Sequence, residues 1–136
     1  MVTPSGLTLK FVLHGWAANS YRRSEGTAFL AQDPATARTR IEAFRELIPR
    51  ILICPLLDWS WSDIANNVAG VVTDHGTRVS RGSEVSGIVQ VAAVLGTREA
   101  TAKIKDGDYV QIICEGNEAL AKIFEPTKYL TGIKET

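Results

Sequence analysis

What this chain lacks narrows it first. Its 136 residues hold 15 Lys and Arg against 15 Asp and Glu, so no formal charge is left over. Without a cationic excess little is available to neutralise a phosphate backbone, which argues against nucleic acid as the main partner. The basic residues are scattered, Arg22-Arg23 apart. Met1–Gly6 has neither a basic start nor an apolar run, so no signal peptide is expected. No apolar stretch approaches the roughly 20 residues that span a bilayer, so no membrane partner is expected either. The chain reads as cytosolic. Its two cysteines, Cys54 and Cys114, are sixty residues apart, with no Cys-x-x-Cys between them. They do not make a metal cluster, and each lies in an apolar run where a thiol packs as a small hydrophobe. No Walker loop, serine-nucleophile elbow or His-x-x-x-His pair is present, and neither a metal nor a cofactor is expected.

What is present describes one domain over residues 1–136, with 45% apolar residues and enough length for a two- or three-layer core. Gly6–Leu13 alternates as a strand, which His14-Gly15 is expected to end, and Trp16–Arg23 reads as a polar connection. Gly26–Ala31 is a second strand. Asp33-Pro34 supplies an N-cap carboxylate and a proline at the first helical position. Ala37, Ile41, Phe44 and Ile48 then follow at helical spacing, up to a stop at Pro49. Arg50–Cys54 is a short continuous apolar run, as in a strand buried on both faces. Leu56–Asn67 reads as a loop entering a short helix, with Asp58 or Ser62 as its cap. Gly70–Val72 is a strand, Ser83–Val89 a weak helix, Val91–Leu95 a strand and Thr97–Ile104 a short helix or turn. Tyr109–Cys114 and Ala119–Phe124 form a hairpin around Glu115-Gly116-Asn117. Strands alternating with helices in the middle predict parallel pairing there, and the two ends predict antiparallel pairing.

Chemistry concentrates between Gly70 and Thr97. Thr73, Asp74, His75, Arg78, Ser80, Arg81, Ser83 and Glu84 all fall in that stretch. Just before it, Trp59 and Trp61 flank Ser60. In an extended segment both rings would face the same way and wall a pocket, whereas core packing is the plainer reading of Trp61. Trp16 is placed to cover the same region, and Tyr21 and Tyr129 read as surface residues.

These residues also carry a resemblance. Pro55 and Asp58, Ala69-Gly70-Val71-Val72-Thr73-Asp74, Gly76-Thr77-Arg78-Val79-Ser80, Val94-Leu95-Gly96-Thr97 and Lys105-Asp106-Gly107-Asp108 follow one another as in a known family. The chain from Arg50 onward resembles the swivelling phosphohistidine domain of phosphoenolpyruvate-utilising enzymes, and Ser24–Ala28 matches its opening strand more weakly. The resemblance implies an α/β fold, a three-layer β/β/α domain with mixed sheets, and a histidine that carries phosphate at a helix start. There exposed N–H groups and the helix dipole favour an anion. In the ungapped register that histidine position holds Arg81, which stays protonated and has no lone pair to attack phosphorus. Gly82-Ser83-Glu84 follows, placing a carboxylate beside the phosphoryl position, where it would repel the group. Family-type phosphotransfer is therefore expected to be lost.

Three functions follow as expectations. The first is a repurposed domain that binds a small molecule or acts as a cofactor-independent isomerase or cyclase, with Arg81, His75 and Asp74 as polar groups. Trp59, Trp61, Thr73, Arg78, Ser80, Ser83 and Glu84 would then contact the substrate. The second is an accessory subunit docking on a phosphoenolpyruvate-synthase-like partner. The third is a phosphocarrier through His75, whose shorter register Gly70-x-x-Thr73-x-His75 needs six extra residues before Val94. Against all three stands a structural role, with Arg81 pairing to Asp74 or Glu84 and His75 incidental. A homo-oligomer is left open.

Overall fold

The structure is a computed structural model that describes residues 7–19, 21–44, 48–76 and 90–126. Among the described residues seven strands follow one another: β1 (Leu9–Ala17), β2 (Arg23–Leu30), β3 (Arg50–Cys54), β4 (Gly70–Thr73), β5 (Ala92–Leu95), β6 (Tyr109–Glu115) and β7 (Glu118–Phe124). They close into a barrel in the order β1-β5-β4-β3-β2-β6-β7. The arc β2-β3-β4-β5 is parallel, while β1, β6 and β7 pair antiparallel, so the sheet is mixed.

Period-two alternation makes two cores from one sheet. Ile51 and Ile53 of β3 point into the barrel, where they meet Val72, Val94, Val110 and Ile112. Leu52 and Cys54, between them, point outward and meet Phe29, Val71, Leu95 and the helical residues Ala37, Trp61 and Ile64. Helix α1 (Pro34–Ala43), a 3-10 turn at Trp59–Trp61 and α2 (Ser62–Ala65) cover this second core. Two sheet walls and a helical layer give the β/β/α order. The second core draws no side chain from β1, β6 or β7, so the helices cover only the parallel arc.

Local chemistry explains the elements. Asp33 caps α1, its carboxylate accepting the Thr36 N–H at 2.8 Å, and Pro34 follows at the first position. The helix ends at Ala43 and does not reach Pro49. Phe44 turns extended and sets its ring edge-on to Phe29, with centroids 5.2 Å apart, while the Arg50 guanidinium lies 3.8 Å from the Phe44 centroid. The first strand also departs from expectation, running through His14-Gly15 to Ala17. Gly15 ends nothing: a Cβ there would come 2.2 Å from the Leu95 carbonyl oxygen, so its missing side chain lets β1 close against β5. The weak helix expected at Ser83–Val89 lies outside the described residues.

Candidate functional site

In parallel sheets ligands gather at the carboxyl ends of the strands, and here those ends bring together residues that follow Cys54, Thr73 and Leu95. Thr73 is fully buried. Its hydroxyl donates to the His75 carbonyl at 2.8 Å, and its own carbonyl accepts the Thr97 N–H at 3.0 Å and the Thr97 hydroxyl at 2.9 Å. Asp74 is 7% exposed, and its carboxylate accepts the Thr101 N–H at 2.8 Å and the Thr101 hydroxyl beside it. Thr101 is the second residue of the short helix α3 (Ala100–Lys103), so Asp74 supplies from a distance the cap that Glu99 does not provide. The Asp74 carbonyl accepts the Arg98 N–H at 2.8 Å, completing a tie between the two strand ends.

His75 is exposed, and its N–H donates to the Pro55 carbonyl at 2.9 Å. Gly76 and Gly96 then touch. Gly96 has φ +71°, and a Cβ on it would lie 2.4 Å from the Gly76 carbonyl oxygen, so position 96 requires glycine for both conformation and space. Trp16 and Leu56 border this junction and are 40% and 38% exposed.

The Trp59–Trp61 segment is not extended but enters a helix with Asp58, one of the two candidate caps, at its start. Asp58 accepts the Ser60 N–H at 2.9 Å and so closes a 3-10 turn. The turn sends Trp61 into the helical core at 3% exposure and leaves Trp59 at 62%. The two rings therefore do not wall one pocket. Of the other expected site residues, Arg78, Ser80, Arg81, Ser83 and Glu84 lie outside the described residues.

Cys54 ends β3 next to this site. Burial pushes its thiol far up, and the Asp74 charge pushes it further, so it stays protonated and is no nucleophile. Among the described residues, no group of three or more His, Cys, Asp and Glu could hold a metal ion. No helix among them is long and apolar enough to cross a membrane. Sequence reasoning missed Thr97 and Thr101, the partners that fix Thr73 and Asp74. The only local hint was a threonine directly after the Gly96 turn.

Comparison with known proteins returns the same region. Residues 48–116, just over half of the chain, match the family described as PEP-utilising enzyme, mobile domain. The phosphoenolpyruvate synthase of Aquifex aeolicus is 34% identical over 68 residues, 50% of this chain and 8% of that protein. A probable phosphoenolpyruvate synthase of Pyrococcus abyssi is 48% identical over 44 residues, 32% of this chain and 5% of that protein. A rifampicin phosphotransferase of Streptomyces sviceus is 34% identical over 62 residues, 46% of this chain and 7% of that protein. The chain thus spans less than a tenth of the length of each of these relatives.

Proposed function

This chain belongs to the family of PEP-utilising enzyme mobile domains, and from that premise we propose that it is a member unable to carry phosphate at the usual position, which instead binds a small molecule at the parallel strand ends. Arg81 stands in the histidine register and is the anion-holding group of this reading. A guanidinium offers a fork of donors to a carboxylate or phosphate, and it polarises a carbonyl without changing its own charge. His75 is the proton-transfer group, and Arg78, Ser80, Ser83 and Glu84 supply further polar contacts. The chemistry that fits is isomerisation or cyclisation of a bound substrate by positioning and polarisation, with no cofactor.

One observation carries this reading. Thr73, Asp74 and Cys54 are committed to scaffold, by hydrogen bonding or by burial, so the rim they hold offers His75 together with the apolar faces of Trp16 and Leu56. The test is calorimetric titration with phosphoenolpyruvate and with inorganic phosphate, alongside incubation with ATP and a phosphoenolpyruvate synthase. Binding that weakens about tenfold or more in Arg81→Gln is expected, the scale of a charge-assisted hydrogen bond. No acid-labile phosphate should form on the chain. Label that His75→Ala abolishes would instead make the chain a phosphocarrier through His75.

A second reading has its own support. Trp59 at 62% and Leu56 at 38% exposure lie on one short stretch, and each relative is more than ten times longer than the matched region. The chain would then be an accessory subunit seated on a phosphoenolpyruvate-synthase-like protein. Co-sedimentation with such a synthase, lost on Trp59→Ser and kept in Arg81→Gln, separates this reading from the first.

A further inference from the structure

Beside the strand-end rim, and sharing Trp16 and Gly96 with it, β1 and β7 present an open face that adds His14 and Glu118. Trp16 stands directly opposite Glu118 in the antiparallel register, and His14 stands opposite Leu120. Directly opposed residues share one side of a sheet, with Cβ atoms about 5 Å apart. Around them lies a cavity of about 290 Å³, lined by His14, Gly15, Trp16, Gly96, Glu118 and Ala119. A neighbouring hollow of about 170 Å³ shares His14, Glu118 and Ala119 and adds Glu115, so the two are one groove.

Among the described residues the charges in this groove are unbalanced. Glu115 and Glu118 face each other across the β6–β7 hairpin, and like charges directly opposed destabilise a sheet. Glu115 has a loose pair with Arg23 at 3.9 Å, whereas Glu118 has no ion pair among the described residues. The wall beside Glu118 is an indole that stays 40% exposed. An aromatic face attracts a cation centred within about 6 Å, and a carboxylate alongside adds charge pairing. The His14 imidazole lines the same groove.

We propose that this groove binds a small organic ammonium ion, held between the Trp16 face and the Glu118 carboxylate. The volume accommodates a compact cation of a few heavy atoms and sits at the small end of ligand pockets. The assignment does not rest on the anion reading of Arg81, because it uses Glu118 and takes a ligand of the opposite charge.

The experiment titrates the full chain with tetramethylammonium chloride and, separately, n-butylammonium chloride, with sodium chloride matching the ionic strength. Backbone amide resonances of Gly96 and Ala119 and the Trp16 indole N–H report occupancy. Saturable shifts at millimolar concentration are expected for at least one ammonium ion, and n-butanol should give none. Glu118→Gln should weaken binding by about fivefold, and Trp16→Leu by at least as much, while Trp16→Phe should keep part of it. Arg81→Gln should leave it unchanged, so loss of anion binding and loss of ammonium binding can be told apart. Equal shifts with n-butanol, no saturable shift, or full binding in Glu118→Gln would each overturn the proposal.

Discussion

The Asp74 carboxylate closes on Thr101, taking both its backbone N–H and its hydroxyl across 27 residues of chain. That contact fastens the end of β4 to the start of α3, beside the strand-end site. It also gives Asp74 a structural task that competes with a catalytic one. Asp74→Ala leaves the Thr101 donors without their acceptor in a part-buried place, so about 1–3 kcal/mol of stability should be lost. Chemical denaturation measures it. Thr101→Val removes the hydroxyl but keeps the backbone N–H, so it should lose less, and the double variant should lose less than the sum because both changes remove the hydroxyl bond.

The thiols follow from burial. Cys54 and Cys114 both lie within the cores, and burial raises the pKa of each, so neither supplies thiolate at neutral pH. Ellman's reagent should therefore leave the native protein nearly unlabelled over minutes and label two thiols per chain once denaturant is added. Rapid native labelling of Cys54 would show that the strand ends open far more than their hydrogen bonds suggest.

Tyr109 gives the protein a pH dependence at the alkaline end. Burial and the hydrogen bond its hydroxyl donates to Glu25 raise its pKa in the folded state. Folding disfavours the phenolate, so the stabilisation is complete below the unfolded tyrosine value of about 10 and is lost as pH rises beyond it. The denaturation midpoint should fall above about pH 10, and Tyr109→Phe should flatten that fall. Absorbance of the phenolate, followed in parallel, should lose its most alkaline component in the same variant.

Much of the fold was legible because its signals are local. Arg50–Cys54, an apolar run closed by Pro55, is β3 to the residue, and Asp33-Pro34 caps and opens α1 as read. The change from antiparallel to parallel pairing also followed from the order of strands and helices. Glycine misled at position 15, since the same residue type serves both a chain turn and a tight strand approach, and only the Leu95 carbonyl distinguishes them. The site was less legible. Thr73 and Asp74 were visible as polar residues, but their partners Thr97 and Thr101 lie 24 and 27 residues on, where no local pattern points back. Core packing was the plainer reading of Trp61 and it holds, whereas a wall shared with Trp59 fails because the hydrogen bond from the Ser60 N–H to Asp58 closes a 3-10 turn.

That turn makes the two tryptophans a test of where the surface is functional. Trp61 fills the core between the sheet and α2, so Trp61→Ala should cost about 3–5 kcal/mol as a large-to-small core change. Trp59 is mostly in water, and Trp59→Ala should change stability by no more than about 0.5 kcal/mol. An indole this exposed contributes little to the fold. If Trp59→Ala lowers neither anion binding nor docking to a phosphoenolpyruvate-synthase-like protein, the rim around Leu56 and Trp59 is not a recognition surface. The functional contacts would then fall to Arg81 and His75. If it lowers docking alone, with anion binding and stability unchanged, the apolar rim belongs to a protein partner and the accessory-subunit reading displaces the small-molecule one.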